Sequence, residues 1–212
     1  MERSLPMSKV TQLLLIRHGE VEERYHHVFG GRIDMELSAR GHEQARVMAA
    51  YLKSRPVDAL YVSPMKRARA TAEPIARALL REAVIAPDLH EVDFGAWTGL
   101  HWDEIHPRHG VSAFAWLDEF AAGRIPDAER PDAYAARVGR GLQAVLREQQ
   151  GRSAAIVCHG GVIRMMLALL LRQPLAEMAK VQIEYASLTR VALHGERAEA
   201  QLVNFTPWRD LA

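Results

Sequence analysis

LLLIRHGE, at residues 13–20, is the stretch of this chain that decides the fold. Four apolar residues, 13–16, predict a short buried strand, and Arg17, His18 and Gly19 follow it at once. A continuous apolar run is typical of a strand in a parallel sheet that is covered on both faces. Ligands of open α/β sheets bind beyond the carboxyl ends of such strands. The stretch therefore predicts an α/β fold with a site just after residue 16.

Three further apolar runs and the helices between them extend this prediction. The runs lie at 58–62, 83–86 and 153–158, and helical periodicity precedes or follows each of them. Such β–α–β alternation favours a parallel sheet with right-handed crossovers. Alternating residues around Gly195 predict an antiparallel hairpin at the C-terminal edge. We expect a three-layer α/β/α sandwich with a mostly parallel, doubly wound sheet.

Local signals predict where several helices begin. Ser38 is expected to cap the helix with apolar residues up to Leu52. Ser63 and Pro64 predict another helix start, with Ser63 as the cap and Pro64 in the first helical position. Arg67 would then lie in the first turn of that helix. Residues 181–185 alternate as a strand would.

The chain length, 212 residues, predicts a single domain, 1–212. Between about 94 and 130 the periodicity weakens and aromatic residues cluster, which indicates a small cap-like insertion with short helices. The N-terminal residues have no apolar core of signal-peptide length, and translation could begin at Met1 or at Met7.

Composition excludes several classes of function. The net charge of +1 gives no reason to expect nucleic acid or a membrane surface as a partner. The one cysteine, Cys158, cannot form an intramolecular disulfide, and no apolar run is long enough to span a bilayer. We expect a soluble cytoplasmic protein. It would be a monomer, or a homodimer paired through an exposed C-terminal edge strand.

The best strands all end in residues that can hold an anion. If they lie parallel in one sheet, Arg17 and His18, Ser63 with Arg67 close behind, and His159 share one edge. The glycines after His159 allow close approach of a ligand, and the following helix offers free N–H groups. Two guanidinium groups and two imidazoles around one point predict a receptor for a tetrahedral oxyanion. Phosphate fits best, although sulfate esters and carboxylates fit the charge.

Five segments together resemble the histidine phosphatase superfamily, the phosphoglycerate-mutase-like group that includes α-ribazole phosphatase and broad-specificity phosphatases. They occur in the order and spacing of that family: LLLIRHGE at 13–20, GRIDMELSARG at 31–41, YVSPMKRARATAEPIA at 61–76, EVDFGAWTGL at 91–100 and IVCHGGVIR at 156–164.

The resemblance implies a role for each matching residue. His18 would be the nucleophile that becomes phosphorylated, and Glu91 would donate a proton to the leaving oxygen. Arg17, Arg67 and His159 would grip the transferred phosphoryl group. A neutral imidazole is a competent nucleophile, and cationic groups stabilise charge on the phosphoryl oxygens.

The resemblance adds Gly160, Gly31 and Arg24 to the residues that bind phosphate or substrate. Arg24 stands where the family often has an asparagine that touches the phosphate, and Val21 stands where a threonine is frequent. Arg24 either takes over that contact or points elsewhere.

The implied function is a phosphomonoesterase that acts on a small phosphorylated metabolite, with no metal and no cofactor. The first alternative is mutase-type transfer within a phosphoglycerate at the same site. The second is a phosphate- or protein-binding module without turnover. Histidines that could suggest a metal, at 26, 27, 101, 106 and 109, match no ligand spacing with an acidic partner.

Overall fold

The computed structural model describes residues 10–211, so both candidate start positions lie outside the described residues. Six strands form one sheet in the order β3-β2-β4-β1-β5-β6. The strands are β1 (Thr11–Arg17), β2 (Ala59–Val62), β3 (Ala83–Ile85), β4 (Ser153–Cys158), β5 (Leu188–His194) and β6 (Arg197–Phe205). The first four are parallel to one another, and β5 and β6 form an antiparallel hairpin beside β1. The predicted fold class is confirmed.

Helices connect the parallel strands and cover both faces of the sheet. They are α1 (Ala39–Leu52), α2 (Lys66–Leu79), α3 (Trp102–His109), α4 (Trp116–Ala121), α5 (Pro131–Glu148), α6 (Gly160–Leu171) and α7 (Pro207–Asp210). Short 3-10 helices occupy Glu23–Tyr25, Pro87–Leu89, Gly95–Trp97, Ala113–Ala115 and Leu175–Lys180. Among the described residues, no helix combines the length and apolar character that crossing a membrane requires.

Two apolar clusters, one on each face of the sheet, form the core. Leu13 and Leu15 of β1 point into the cluster that contains α5, α6 and the short helices between 87 and 130. Leu14 and Ile16 point into the opposite cluster, with α1 and α2. Successive strand residues face opposite sides, so an uninterrupted apolar run is what a doubly covered strand needs. Burial on both faces explains why 13–16 has no polar alternation.

Helix starts agree with the sequence signals at one place and differ at another. The Ser38 hydroxyl accepts a hydrogen bond from the Gly41 N–H, as predicted for a cap. The predicted cap at Ser63 is wrong, because α2 begins at Lys66 with Met65 in the cap position. The Ser63 hydroxyl instead contacts the His159 ring.

The predicted strand at 181–185 is also wrong, since this segment contains no strand. Two of its carbonyl groups accept hydrogen bonds from arginine side chains: Val181 from Arg164, and Ile183 from Arg17. Carbonyl groups that accept hydrogen bonds from side chains in this way are not paired with a neighbouring strand.

We expect the central strands to carry most of the stability. Ile156 in β4 is fully buried, whereas Ile85 in the edge strand β3 is 50% exposed. Replacing Ile156 by alanine should lower the free energy of unfolding by about 2–5 kcal/mol, because a cavity is left in the core. The matched replacement of Ile85 should cost about 0.5 kcal/mol or less. Urea denaturation of both variants checks this, and equal losses would contradict the two-cluster description.

Candidate active site

The carboxyl ends of β1, β2 and β4 lie level with one another. The parallel register pairs Arg17 with Cys158 and Val62 with Val157. The residues that follow each strand therefore emerge at the same edge. The rings of His18 and His159 lie there, with centroids 5.3 Å apart. The structure thus brings together the three strand ends singled out in the sequence.

His18 is buried and held in one orientation. Its Nδ1 lies 2.8 Å from the Gly19 carbonyl oxygen, and its Nε2 accepts a hydrogen bond from Arg67 Nε at 3.2 Å. These partners assign the ring proton to Nδ1 and leave a lone pair on Nε2. Burial lowers the pKa of His18 well below 6.5, and the charges of Arg67 and Arg17 lower it further. His18 is therefore neutral at pH 7.

Arg67, in the first turn of α2, is fixed by main-chain carbonyl groups. Its Nη1 donates to Ile33 at 2.7 Å and its Nη2 donates to Gly31 at 3.1 Å. Gly31 has φ of +46°, and a Cβ there would lie 3.2 Å from the Thr98 hydroxyl. Gly31 lines the pocket, and its carbonyl also anchors the guanidinium of Arg67.

His159 is completely buried and is oriented by Ser63, a contact that the sequence did not indicate. Its Nε2 lies 2.7 Å from the Ser63 hydroxyl oxygen, which accepts a weaker hydrogen bond from the Met65 N–H at 3.4 Å. The Ser63 hydrogen has an acceptor if it points at Nε2, which assigns the imidazole proton to Nδ1. That Nδ1 has no partner among the described residues.

Burial lowers the pKa of His159 well below 6.5, with further lowering by the charges of Arg67, His18 and Arg17. A neutral ring with the proton on Nδ1 is a hydrogen-bond donor without an acceptor. Buried donors of this kind are costly unless a ligand accepts from them. Within the described part of the chain, the His159 Nδ1–H is therefore an unsatisfied donor beside the His18 ring.

The Nη1 atom of Arg17 is held by a hydrogen bond, whereas its Nε atom is not held by any described residue. Its Nη1 donates to the Ile183 carbonyl at 2.7 Å, and its guanidinium stacks 4.0 Å from the centroid of the Tyr185 ring. Its Nε is buried and lacks a partner in the part of the chain that is described. Neither Ile183 nor Tyr185 could have been found from local pattern, because both lie about 170 residues from Arg17 in a segment without a motif.

Glu91 lies beside the beginning of α6. Its carboxylate accepts hydrogen bonds from the Val92 N–H at 3.0 Å and the Gly161 N–H at 3.3 Å. The partial positive charge at a helix N-terminus favours an acidic group in this position. A Cβ on Gly161 would lie 2.6 Å from Glu91 Oε1, so only glycine allows this approach.

Gly160, the first residue of α6, separates two guanidinium groups. A Cβ there would lie 3.3 Å from Arg164 Nη1 and 3.7 Å from Arg17 Nε. Arg164 belongs to the segment that resembles the family, but no role was predicted for it from the sequence. Its position four residues after Gly160 on the same helix was the available signal.

Arg24 is not part of this group. Its side chain is 68% exposed, donates to Glu22 Oε2 at 2.8 Å and lies over the Tyr25 ring. It does not line the pocket that contains His18. Of the two possibilities for Arg24, the structure shows the side chain pointing elsewhere, because the neighbouring acid binds it.

The pocket has a volume of about 510 Å³, so it extends well beyond the groups around His18. Aromatic side chains form much of the outer wall: Tyr25, Phe29, Phe94, Trp102, Trp116 and Trp208. Trp102 and Trp116 come from the segment between 94 and 130, which therefore contributes directly to the wall. Pockets of this size hold a small organic molecule.

Within residues 10–211, no group of three or more histidine, cysteine or acidic side chains is arranged to hold a metal ion. His101 instead caps α3, and the His26 ring contacts the Val21 carbonyl.

Comparison with known proteins agrees with this geometry. The model of the "Histidine phosphatase superfamily (branch 1)" matches residues 13–206. "Putative phosphoserine phosphatase 2" of Hydrogenobacter thermophilus is 28% identical over 91% of this chain and 95% of its own length.

A second relative is longer than this chain. "Bifunctional protein Rv2228c" of Mycobacterium tuberculosis is 33% identical over 92% of this chain, which spans 54% of that protein. Among solved structures, mycobacterial glucosyl-3-phosphoglycerate phosphatase Rv2419c superposes with a TM-score of 0.82 at 27% identity. That alignment covers 92% of this chain and 99% of the other.

We expect His18 and His159 to titrate below pH 6.5 in the folded protein, because burial and the nearby arginines disfavour their charged forms. NMR of labelled histidine rings measures both titrations, with His18→Gln and His159→Gln variants to assign the signals. The same rings in the urea-unfolded protein serve as the reference. A midpoint at or above 6.5 for either buried ring would contradict the electrostatic description.

Proposed function

The chain belongs to the histidine phosphatase superfamily, and from that premise we propose that it is a phosphomonoesterase acting through a phosphohistidine on His18. The observation that carries the proposal is a neutral imidazole whose Nε2 lone pair lies 3.2 Å from a fixed guanidinium nitrogen. Cationic donors around a nucleophile are what transfer of a phosphoryl group requires. The substrate is a small phosphorylated metabolite, which the pocket volume of about 510 Å³ accommodates.

In the first step, the Arg67 Nε–H transfers its hydrogen bond from His18 Nε2 to a phosphoryl oxygen, and the freed Nε2 lone pair attacks phosphorus. The P–N bond forms as the P–O bond to the leaving group breaks, and the leaving oxygen takes a proton from Glu91. Arg17, Arg67 and the His159 Nδ1–H bind the phosphoryl oxygens as charge develops on them. Nδ1 of His18 keeps its proton, which it donates in a hydrogen bond to the Gly19 carbonyl.

In the second step, Glu91 is a carboxylate and accepts a proton from water. The water oxygen bonds to phosphorus as the P–N bond breaks, which returns His18 to the neutral form and releases orthophosphate. One carboxyl group thus serves as acid and then as base. Its contact with Gly161 supports this role, since the N–H there stabilises the charged form between the steps.

The proposed reaction needs no metal ion. The buried guanidinium of Arg67 and the half-buried guanidinium of Arg17 supply the positive charge that a metal supplies in other phosphoryl-transfer enzymes. We also propose a cytoplasmic location, since the buried Cys158 needs no oxidising compartment. The oligomeric state, a monomer or a homodimer, remains a prediction.

Mutase-type transfer is the main alternative and uses the same residues. It differs in protecting the phosphohistidine from water long enough for a second substrate oxygen to attack. The compact segment between Trp97 and Arg130 favours hydrolysis. A binding module without turnover is disfavoured because nucleophile, cations and proton donor line one pocket.

We predict that His18→Ala abolishes phosphate release, because no other group in the pocket is placed to accept the phosphoryl group. The measurement is phosphate release from a panel of phosphorylated metabolites in EDTA, together with trapping of labelled phosphoenzyme. Exposed His194→Ala is the matched control and should retain full activity. Interconversion of phosphoglycerates without release would favour the mutase, and loss of wild-type activity in EDTA would contradict the metal-free mechanism.

We predict that Gly161→Ala damages proton donation selectively. The new methyl group would displace the Glu91 carboxyl, from which it would lie only 2.6 Å. Turnover of an alkyl phosphate should fall by about 10²–10⁴-fold, the usual contribution of a general acid. p-Nitrophenyl phosphate, whose leaving group needs no proton, should be affected much less.

Gly139→Ala in α5 is the matched control, since a Cβ there meets its nearest atom at an ordinary 3.7 Å. Equal losses on both substrates in Gly161→Ala would indicate general disruption and would argue against Glu91 as the proton donor.

A further inference from the structure

Arg164 is a cation that the proposed mechanism does not use. It lies one turn into α6 and lines the same pocket as His18. Its Nε donates to the Val181 carbonyl at 3.2 Å, and its guanidinium lies 5.9 Å from the centroid of the Trp116 ring. Among the described residues, neither of its Nη atoms has a hydrogen-bond acceptor and no carboxylate forms an ion pair with it. The anchored guanidinium therefore has free donors.

Each of the other three arginines of the pocket has an acidic partner or a proposed ligand. Arg40 pairs with Glu20 at 3.8 Å. Arg17 and Arg67 adjoin His18 and are assigned to the phosphoryl group. Arg164 alone among the four lacks both an acidic partner and a proposed ligand.

The charges of the pocket indicate what Arg164 can bind. Burial and the charge of Arg17 lower the pKa of Arg164 to about 10, which still leaves it protonated at neutral pH. A partly buried cation without a counterion costs free energy that an anionic ligand would recover. A phosphomonoester dianion matches the charges of Arg17 and Arg67. Glu91 accepts hydrogen bonds from the Val92 and Gly161 N–H groups and forms no ion pair with Arg164, so the Nη donors of Arg164 remain open to a second anionic group of the ligand.

We propose that Arg164 binds a carboxylate on the leaving group of the substrate, so that this enzyme prefers short phosphorylated carboxylic acids. The proposal rests on the function proposed above. One unmatched positive charge fits a carboxylate better than a second phosphate, and the planar guanidinium fork fits its two oxygens. Arg17 Nε and Arg164 Nη1 flank the same point beside Gly160. The carboxylate therefore lies only a few bonds from the phosphoester.

The test compares two substrates that differ only at the group Arg164 would bind. 3-Phosphoglycerate carries a carboxylate where glycerol 3-phosphate carries a hydroxymethyl group. The wild type should favour 3-phosphoglycerate in kcat/KM by about 10-fold or more. Arg164→Gln should raise KM for 3-phosphoglycerate by about 10- to 100-fold, the range for a lost charge-assisted hydrogen bond. Values for glycerol 3-phosphate and p-nitrophenyl phosphate should change by about 3-fold or less.

Two further variants keep the result interpretable. Arg164→Lys retains the charge and should recover part of the preference, which a purely structural role of the fork would not predict. Arg172→Gln, at the exposed C-terminal end of the same helix, should behave as wild type. Equal losses on all three substrates in Arg164→Gln would mean that Arg164 grips the phosphoryl group or supports the fold, and would overturn the proposal.

Assays of the wild type distinguish failure of the carboxylate subsite from failure of the phosphatase function. Equal turnover of 3-phosphoglycerate and glycerol 3-phosphate would overturn the carboxylate subsite and leave the phosphatase function standing. Absence of phosphate release from every substrate, p-nitrophenyl phosphate included, would overturn the function itself.

Discussion

The parallel hydrogen bonding between β1 and β4 is the constraint on which the site depends. Its register sets Arg17 level with Cys158, so that His18 and His159 follow their strands at the same height. A slip by one residue would turn every side chain of β1 to the opposite face and would exchange its two apolar clusters. Because both faces are buried, such a slip is strongly disfavoured. The apolar core therefore also determines the geometry of the two imidazoles.

A second regularity is the way in which the arginines are held. Among the described residues, main-chain carbonyl groups anchor the three arginines of the pocket that lack an acidic partner: Ile183 for Arg17, Ile33 and Gly31 for Arg67, and Val181 for Arg164. A carbonyl orients the group without cancelling its charge, whereas a carboxylate would do both. Burial is the main reason that the nearby imidazoles are neutral, and the same uncancelled charge adds to it. The arginine charges thus favour both anion binding and a neutral, nucleophilic histidine.

The sequence predicted what depends on local pattern and failed where distant contacts decide. The bounds of β4 and the cap at Ser38 follow from apolar runs and capping chemistry, and the structure agrees with both. Ser63 looked like a cap because its hydroxyl suits one, but a histidine 96 residues away takes that hydroxyl. The alternation at 181–185 was misleading for a similar reason, since arginines bind its carbonyl groups. Arg24 stands where the family often has a phosphate-binding asparagine, but the adjacent acid Glu22 binds its side chain.

The segment from Val181 to Tyr185 should tolerate substitutions differently from insertions and deletions. It positions Arg164 and Arg17 through peptide carbonyls, which every amino acid possesses. Substitutions at 181 or 183 can therefore alter the side chain freely as regards these two contacts, and drift in sequence need not disturb them. Adding or removing a single residue would shift both carbonyls at once. These two contacts therefore depend on the length of the segment and not on which side chains stand at 181 and 183.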